Sequence, residues 1–139
     1  KDCGANFTYR VQDEAGGIAQ ALLLAEDFAD GQPITVILGD NIFEDNISRA
    51  VKTFREGARI FLKKVPDPKR FGVAILEGKR IVKIMEKPQT APSPYAVTGL
   101  YQYDGNVFKI IKHLKPSARG ELEITDVNNA YIKHGRLKA

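Results

Sequence analysis

Only one cysteine, Cys3, occurs in the 139 residues. An internal disulfide is therefore excluded, and a reducing cytoplasm is the expected compartment. No apolar run is long enough to span a bilayer, and neither a signal peptide nor a lipidation motif is present. Internal repeats and low-complexity tracts are missing too. Basic residues number 21 against 17 acidic, for a net charge of +4. They are scattered, with no basic block interleaved with aromatics, so nucleic-acid binding is not expected. There is no G-x-S-x-G elbow, C-x-x-C pair, Walker A loop or G-x-G-x-x-G fingerprint, which removes the common hydrolase, redox, P-loop and dehydrogenase readings. His113 and His134 lack zinc-site spacing and read as helix-end residues that favour the C-terminal dipole.

What is present is ordinary for one globular domain: 43% apolar and 27% charged residues. Pro33–Asn41, PITVILGDN, stands out. Its apolar run from Ile34 to Leu38 predicts a strand buried on both faces, and the helical pattern over 45–56 after it predicts a β-then-α unit. In parallel sheets ligands bind beyond the carboxyl ends of the strands. Gly39 and Asp40 therefore stand where a phosphate or metal would be met, although an N-cap Asp after a turn Gly reads as well.

Elsewhere, Asn6–Val11 alternates as a strand, with Phe7, Tyr9 and Val11 on one face. From Ile18 the pattern is helical to Asp30-Gly31, with Ala21, Leu22, Ala25 and Phe28 on the same face as Ile18. Ile47, Ala50, Val51 and Phe54 form the stripe of the next helix, and Ala58–Val65 is a strand. Phe71–Leu76 and Arg80–Glu86 flank Glu77-Gly78-Lys79 as a hairpin. Ala96–Tyr103 is a further strand. Two helices follow, one with Val107, Ile110, Ile111 and Leu114 inward, the other over Ile124–Lys133. The expected architecture is an α/β layered fold with one mixed sheet.

Three polar segments would meet at one sheet edge: Gln12–Gly17, Gly39–Asn41 and Glu86-Lys87. Gln12 can donate and accept, as the edge of a pyrimidine requires. Asp40 is a hard oxygen ligand suited to Mg²⁺, Lys87 a point charge for phosphate, and Glu86 an acceptor for sugar hydroxyls. Taken singly, Gln12 also reads as a solvated strand end, and Glu86-Lys87 as a surface pair of little worth.

The segments YRVQDEAGGIAQAL, VILGDNIF, FGVAILEGKRIVKIMEKP, YAVTGLYQYD and RGELEITDVN, in that order, closely resemble the bacterial glucose-1-phosphate thymidylyltransferases of the sugar nucleotidyltransferase family. The resemblance implies a Rossmann-like layered fold with a mixed, mostly parallel sheet. It implies nucleotidyl transfer from dTTP to glucose 1-phosphate, giving dTDP-glucose and pyrophosphate, with Mg²⁺ as cofactor and a homotetramer as assembly. Surface polysaccharide synthesis is the implied use of the product.

The same resemblance puts Gln12 and Gly17 at the thymine base, with Leu38 and Asp40 also on the nucleotide. Asp40 becomes the Mg²⁺ ligand and Asn41 a glucose contact. Gly72, in F-G-V where the family more often has Tyr before the Gly, and the backbone of Val97 would lie against the sugar. Glu86 would bind the sugar, Lys87 its phosphate, and Arg119 would support that phosphate, which makes Lys87 and Arg119 the implied catalytic cations. The family's opening strand, its G-G-x-G-T-R-L-x-P loop and its second metal aspartate have no counterpart here. Lys1–Gly4, without an initiating methionine, leads straight into the first strand pattern. The chain is thus expected to be the central part of one domain, truncated at both ends and by itself nearly inactive. UTP in place of dTTP, and a non-catalytic sugar-nucleotide-binding module, are the alternatives.

Overall fold

The computed structural model describes residues 4–139; residues 1–3, Cys3 among them, lie outside the described residues. Its strands are β1 (Ile34–Ile37), β2 (Ala58–Lys64), β3 (Gly72–Glu77), β4 (Arg80–Glu86), β5 (Tyr95–Tyr103) and β6 (Leu137–Lys138). The helices are α1 (Ile18–Leu23), α2 (Glu26–Ala29), α3 (Ser48–Thr53), α4 (Asn106–Lys112) and α5 (Ile124–Lys133), with a 3₁₀ turn at Pro68–Arg70.

The sheet is organised around β5. Along the path β4-β3-β5-β2-β6 it pairs with β3 and β2, and it also takes β1 beside its second half. Nearly all of β5 is buried. Its polar residues are answered by neighbours, since Gln102 Nε2 donates to Thr35 Oγ1 and Gln102 Oε1 accepts from Arg59 Nη1, both at 3.2 Å. Buried polar groups are tolerated only when paired in this way. PITVI therefore does not hold the centre. Among the described residues it pairs only with β5, and Ile37 is half exposed.

The sheet is mixed, but not mostly parallel: among the described residues only β2–β6 is a parallel pair. The physical reason is an inserted strand. Both β1 and β2 run antiparallel to β5, so they point the same way, as a β–α–β unit requires, with β5 between them. Periodicity reports direction changes between consecutive elements; it does not report which later strand enters the gap.

Two layers of helix cover the sheet. On one face α5 buries Ile124, Val127 and Tyr131, and α4 buries Val107, Phe108 and Ile111. Tyr101 and Tyr103, two apart on β5, stack at 6.1 Å, and Tyr103 stacks on Tyr131 at 5.8 Å, which joins sheet to helix. Each such aromatic pair contributes about 1 kcal/mol beyond its buried area. On the other face Arg59 donates to Ala50 O and lies 5.6 Å from the Phe54 ring, which seats α3.

Three local expectations differ from the structure. Asn6–Val11 belongs to no strand, and Phe7, Tyr9 and Val11 are exposed. Alternation supplies a face, but a strand exists only where another backbone takes its hydrogen bonds. The helix from Ile18 is broken at Leu24-Ala25, which rotates Phe28 into solvent while Ala19, Leu22 and Ala29 are buried. The third helix is shorter than 45–56, and Val51 is exposed. The hairpin over 72–86 and the span of α5 agree with the sequence pattern.

Candidate functional site

A cleft of about 480 Å³ opens beside β5, bounded by the segments that follow β1 and β4 and by the chain entering α5. Leu38, Asp40, Asn41, Gly72, Glu86, Lys87, Val97 and Arg119, widely separated in sequence, all line it. Gln12 and Gly17 do not, although their neighbour Ile18 does.

The loop after β1 is clamped on β5 by one side chain. Leu38 N donates to Gly99 O at 2.8 Å, and Asn41 Oδ1 accepts from Gly99 N at 2.9 Å. Asn41 Nδ2 then donates to Asp40 Oδ1 at 2.7 Å. A Cβ on Gly99 would collide with the Asn41 amide, which would have to swing away and release Gly99 N. Asp40 is exposed at the cleft with its carboxylate oriented by Asn41. Among the described residues no group of three or more His, Cys, Asp or Glu is placed to hold a metal. A single hard carboxylate suits Mg²⁺, which keeps waters and binds through one or two carboxylates plus substrate phosphates. The donor at Asp40 fits that ion in this mode, and would not suit a cation needing an all-protein cage.

At the other end of the cleft, Glu86 Oε2 accepts from Thr125 Oγ1 at 2.6 Å. Its Oε1 lies 3.6 Å from Arg119 Nη2 and 4.0 Å from Lys87 Nζ, outside hydrogen-bond range. Arg119 is already engaged. It donates to both oxygens of Glu123, at 2.8 and 2.9 Å from Nη2, and to Glu121 at 3.3 Å. Those carboxylates, Glu123 first, push the guanidinium pKa further above its ordinary value. Ser117 Oγ donates to the same Glu123 at 2.8 Å, so Glu123 is buried fully partnered.

Three other cations at the cleft, Lys63, Arg70 and Lys87, are exposed. Lys87 has φ 37°, one of two non-glycine residues with positive φ among those described. Its N–H donates to Phe71 O at 3.1 Å, and the buried Pro88 follows it. A side chain in this backbone region costs about 1–2 kcal/mol. Tyr101 forms part of the cleft wall; burial first, then Glu86 and Asp40, push its phenol up to about 12, so it stays protonated as a donor.

The Gln12 side chain donates to Gln20 Oε1 at 2.6 Å and to Gly17 O at 3.3 Å, while Gly16 N donates to the same Gln20 oxygen. Gly17 sits at φ 93°, and a Cβ there would lie 2.6 Å from Leu122 O, so glycine alone fits. This frame docks the start of α1 beside the Leu122 segment, next to the cleft.

Sequence reasoning missed Thr125, Gln20, Lys63 and Arg70. Thr125 and Gln20 stand inside the motifs E-I-T-D and I-A-Q-A, where each has the pattern of an ordinary helix residue. Lys63 and Arg70 carry no local signal, since a lone cation on a strand or turn has the pattern of a solvated face.

Residues 1–139 match the nucleotidyl transferase family. The glucose-1-phosphate thymidylyltransferase of Xanthomonas campestris pv. campestris (strain B100) is 46% identical across 96% of this chain and 47% of its own. That of Neisseria meningitidis serogroup A is 43% identical across 98% of this chain and 49% of its own. The chain spans about half the length of the curated relatives it matches. Among solved structures, a Bacillus anthracis protein assigned as a glucose-1-phosphate thymidylyltransferase, in complex with sucrose, superposes with a TM-score of 0.90. It is 59% identical, over 97% of this chain and 56% of that one. A UDP-glucose pyrophosphorylase complexed with UDP-glucose superposes at 0.76 with 26% identity, over 92% of this chain and 55% of that one. The chain belongs to the nucleotidyl transferase family, and its α/β architecture is that of these enzymes.

Proposed function

We propose that this member of the family serves nucleotidyl transfer from dTTP to glucose 1-phosphate, yielding dTDP-glucose and pyrophosphate. The observation that carries the reading is the convergence of Asp40, Glu86 and three exposed cations on one cleft. An oriented carboxylate, a hydroxyl acceptor and phosphate-seeking charges are the chemistry that two phosphate-bearing substrates require. The names of the more similar relatives favour dTTP and glucose 1-phosphate over the UDP-glucose pyrophosphorylase pairing at 26% identity.

In this reading an oxygen of the sugar phosphate attacks the α-phosphorus of dTTP in line. The new P–O bond forms as the α–β bridging P–O bond breaks, and the electron pair leaves with pyrophosphate. No covalent enzyme intermediate is needed, so catalysis rests on positioning and charge neutralisation. Lys87 takes the sugar phosphate, and Lys63 and Arg70 lower the repulsion between the two polyanions. Asn41 and the β5 backbone at Val97 face the sugar; Leu38 and the Gln12–Gly17 frame face the nucleotide. Arg119, tied to Glu123, acts by holding the cleft wall rather than as a free phosphate clamp. Magnesium, bound at Asp40, would supply further neutralisation of the nucleotide phosphates.

We further propose that residues 1–139 are the central part of a single domain, that the enzyme is a cytoplasmic homotetramer, and that its product feeds polysaccharide synthesis. No helix among the described residues is long and apolar enough to cross a membrane. The test is pyrophosphate release from the full domain that contains residues 1–139, with dTTP, glucose 1-phosphate and Mg²⁺, UTP as competitor and Asp40→Asn as control; residues 1–139 alone are expected to release little. Release specific to dTTP that Asp40→Asn abolishes is the expected result. Wild-type rates in that variant overturn the metal assignment, and preferential use of UTP overturns the nucleotide assignment. Binding of dTDP-glucose with no turnover would instead make the protein a sugar-nucleotide-binding module.

A further inference from the structure

Among the described residues one buried side-chain nitrogen or oxygen has no hydrogen-bond partner: Nδ2 of Asn128. Its residue is 1% exposed, yet it lines the cleft. An amide donor removed from water without a partner costs about 1–3 kcal/mol, so such a group needs a reason. Its orientation is fixed from the other side. Tyr103 is fully buried, and its hydroxyl donates to Asn128 Oδ1 at 2.7 Å. A phenol must give its one proton to an acceptor, so the carbonyl end of the amide faces Tyr103 and the N–H₂ end is left over.

The surroundings identify what the free donor can meet. Asn128 stands one turn beyond Thr125 on α5, which puts both on the same face of the helix. Thr125 occupies Glu86 Oε2, which leaves Oε1 without a hydrogen-bonded partner among the described residues. One cleft is thus lined by a residue with a free donor, Asn128 Nδ2, and by one with a free acceptor, Glu86 Oε1. A carbonyl can only accept and a ring N–H can only donate; a hydroxyl does both at once. We propose that Asn128 Nδ2 is a specificity donor to one hydroxyl oxygen of the bound sugar, the same hydroxyl donating to Glu86. The assignment rests on the proposed sugar-phosphate reading and adds a residue to it.

The test is calorimetric binding, without turnover, of glucose 1-phosphate and its monodeoxy analogues to the protein and to two variants. Asn128→Leu removes the donor and the acceptor; Asn128→Asp keeps an acceptor for Tyr103 and replaces the donor with a carboxylate, whose charge weighs on every analogue alike. Both are expected to weaken glucose 1-phosphate about tenfold, the loss for one ordinary hydrogen bond. One deoxy analogue should then lose nothing on Asn128→Leu, and on Asn128→Asp only the loss that the added charge imposes on every analogue, because the partner hydroxyl is already gone. If either variant binds the parent sugar phosphate like the wild type, or every analogue suffers the same further loss, the assignment is overturned. Should Asn128→Leu fail to fold, Asn128→Asp alone decides. A wild type that binds no hexose 1-phosphate overturns the sugar-phosphate reading itself, which is a different result.

Discussion

Thr125 Oγ1 donates to Glu86 Oε2 at 2.6 Å and thereby ties the first turn of α5 to the last residue of β4. The bond crosses between two layers of the fold, so the carboxylate facing the cleft is oriented by a helix that is itself anchored in the core through Ile124 and Val127. Among the described residues Glu86 would otherwise hold only distant contacts with Arg119 and Lys87, at 3.6 and 4.0 Å.

Thr125→Val keeps the shape and removes that donor. The expected outcome is a KM for glucose 1-phosphate raised about tenfold, with kcat changed less, because a loosely held acceptor weakens sugar binding before it alters the reacting phosphates. Thr125→Ser, which retains the hydroxyl, should return KM to near the wild-type value. Equal KM in wild type and Thr125→Val would show that Glu86 needs no such support.

Gly99 and Asn41 give a second test. A methyl group at Gly99 would occupy the space of the Asn41 amide, which holds the loop to β5 and orients Asp40. Overpacking of this kind typically costs 1–3 kcal/mol. Gly99→Ala should lose about that much in urea denaturation, and its activity should require several-fold more Mg²⁺ for half-maximal rate. A variant with normal stability but an altered Mg²⁺ requirement would isolate the orienting effect.

Much of this was legible in the sequence, for identifiable reasons. Glu86, Lys87, Asp40 and Asn41 sit at strand ends, where turn residues and prolines punctuate the chain, and strand ends are where such sheets bind ligands. The hairpin over 72–86 and the stripe of α5 are local patterns and appeared as written. What periodicity could not convey was pairing. β5 contains Thr98, Gly99 and Gln102, so it looks half-polar, yet it is central because Thr35 and Arg59 satisfy Gln102 from across the sheet. PITVI looks like a core strand and lies at one side of β5. Lys63 and Arg70 reach the cleft only through folding, and their sequence neighbours hold no trace of it.

Asp104 connects fold to pH. Its Oδ1 accepts from Tyr131 at 2.7 Å and from Asn106 N, while Oδ2 accepts from Gly57 N at 2.8 Å and Arg136 at 2.9 Å. Burial by itself raises this carboxyl; the hydrogen bonds from Tyr131, Gly57 and Asn106 outweigh it, and the folded-state pKa lies below 3.8. A depressed carboxyl stabilises the fold above its unfolded value and loses that contribution as pH falls through the folded one. Asp104→Asn should therefore be less stable by about 2 kcal/mol at pH 7. The gap should narrow as pH falls from about 4. Denaturant melts at pH 7, 5, 4 and 3 check it; a constant gap would remove the ionic contribution.

The backbone at Lys87 separates stability from binding. At φ 37° a side chain is strained, and glycine is not, so the two residues that could replace Lys87 differ in a known direction. Lys87→Ala keeps the strain and loses the ammonium; Lys87→Gly loses both. The glycine variant should be more stable than the alanine variant by about 1 kcal/mol, against the usual ranking of those residues. Glucose 1-phosphate affinity should fall equally in both, about tenfold or more for a lost charge-assisted contact, with a smaller salt dependence of binding than in the wild type. Thermal melts and calorimetry measure the two effects independently. If alanine proves the more stable replacement, the strain is not borne in the folded state; if binding survives in both, the phosphate lies nearer Lys63 and Arg70, and the charge at position 87 is incidental to the site.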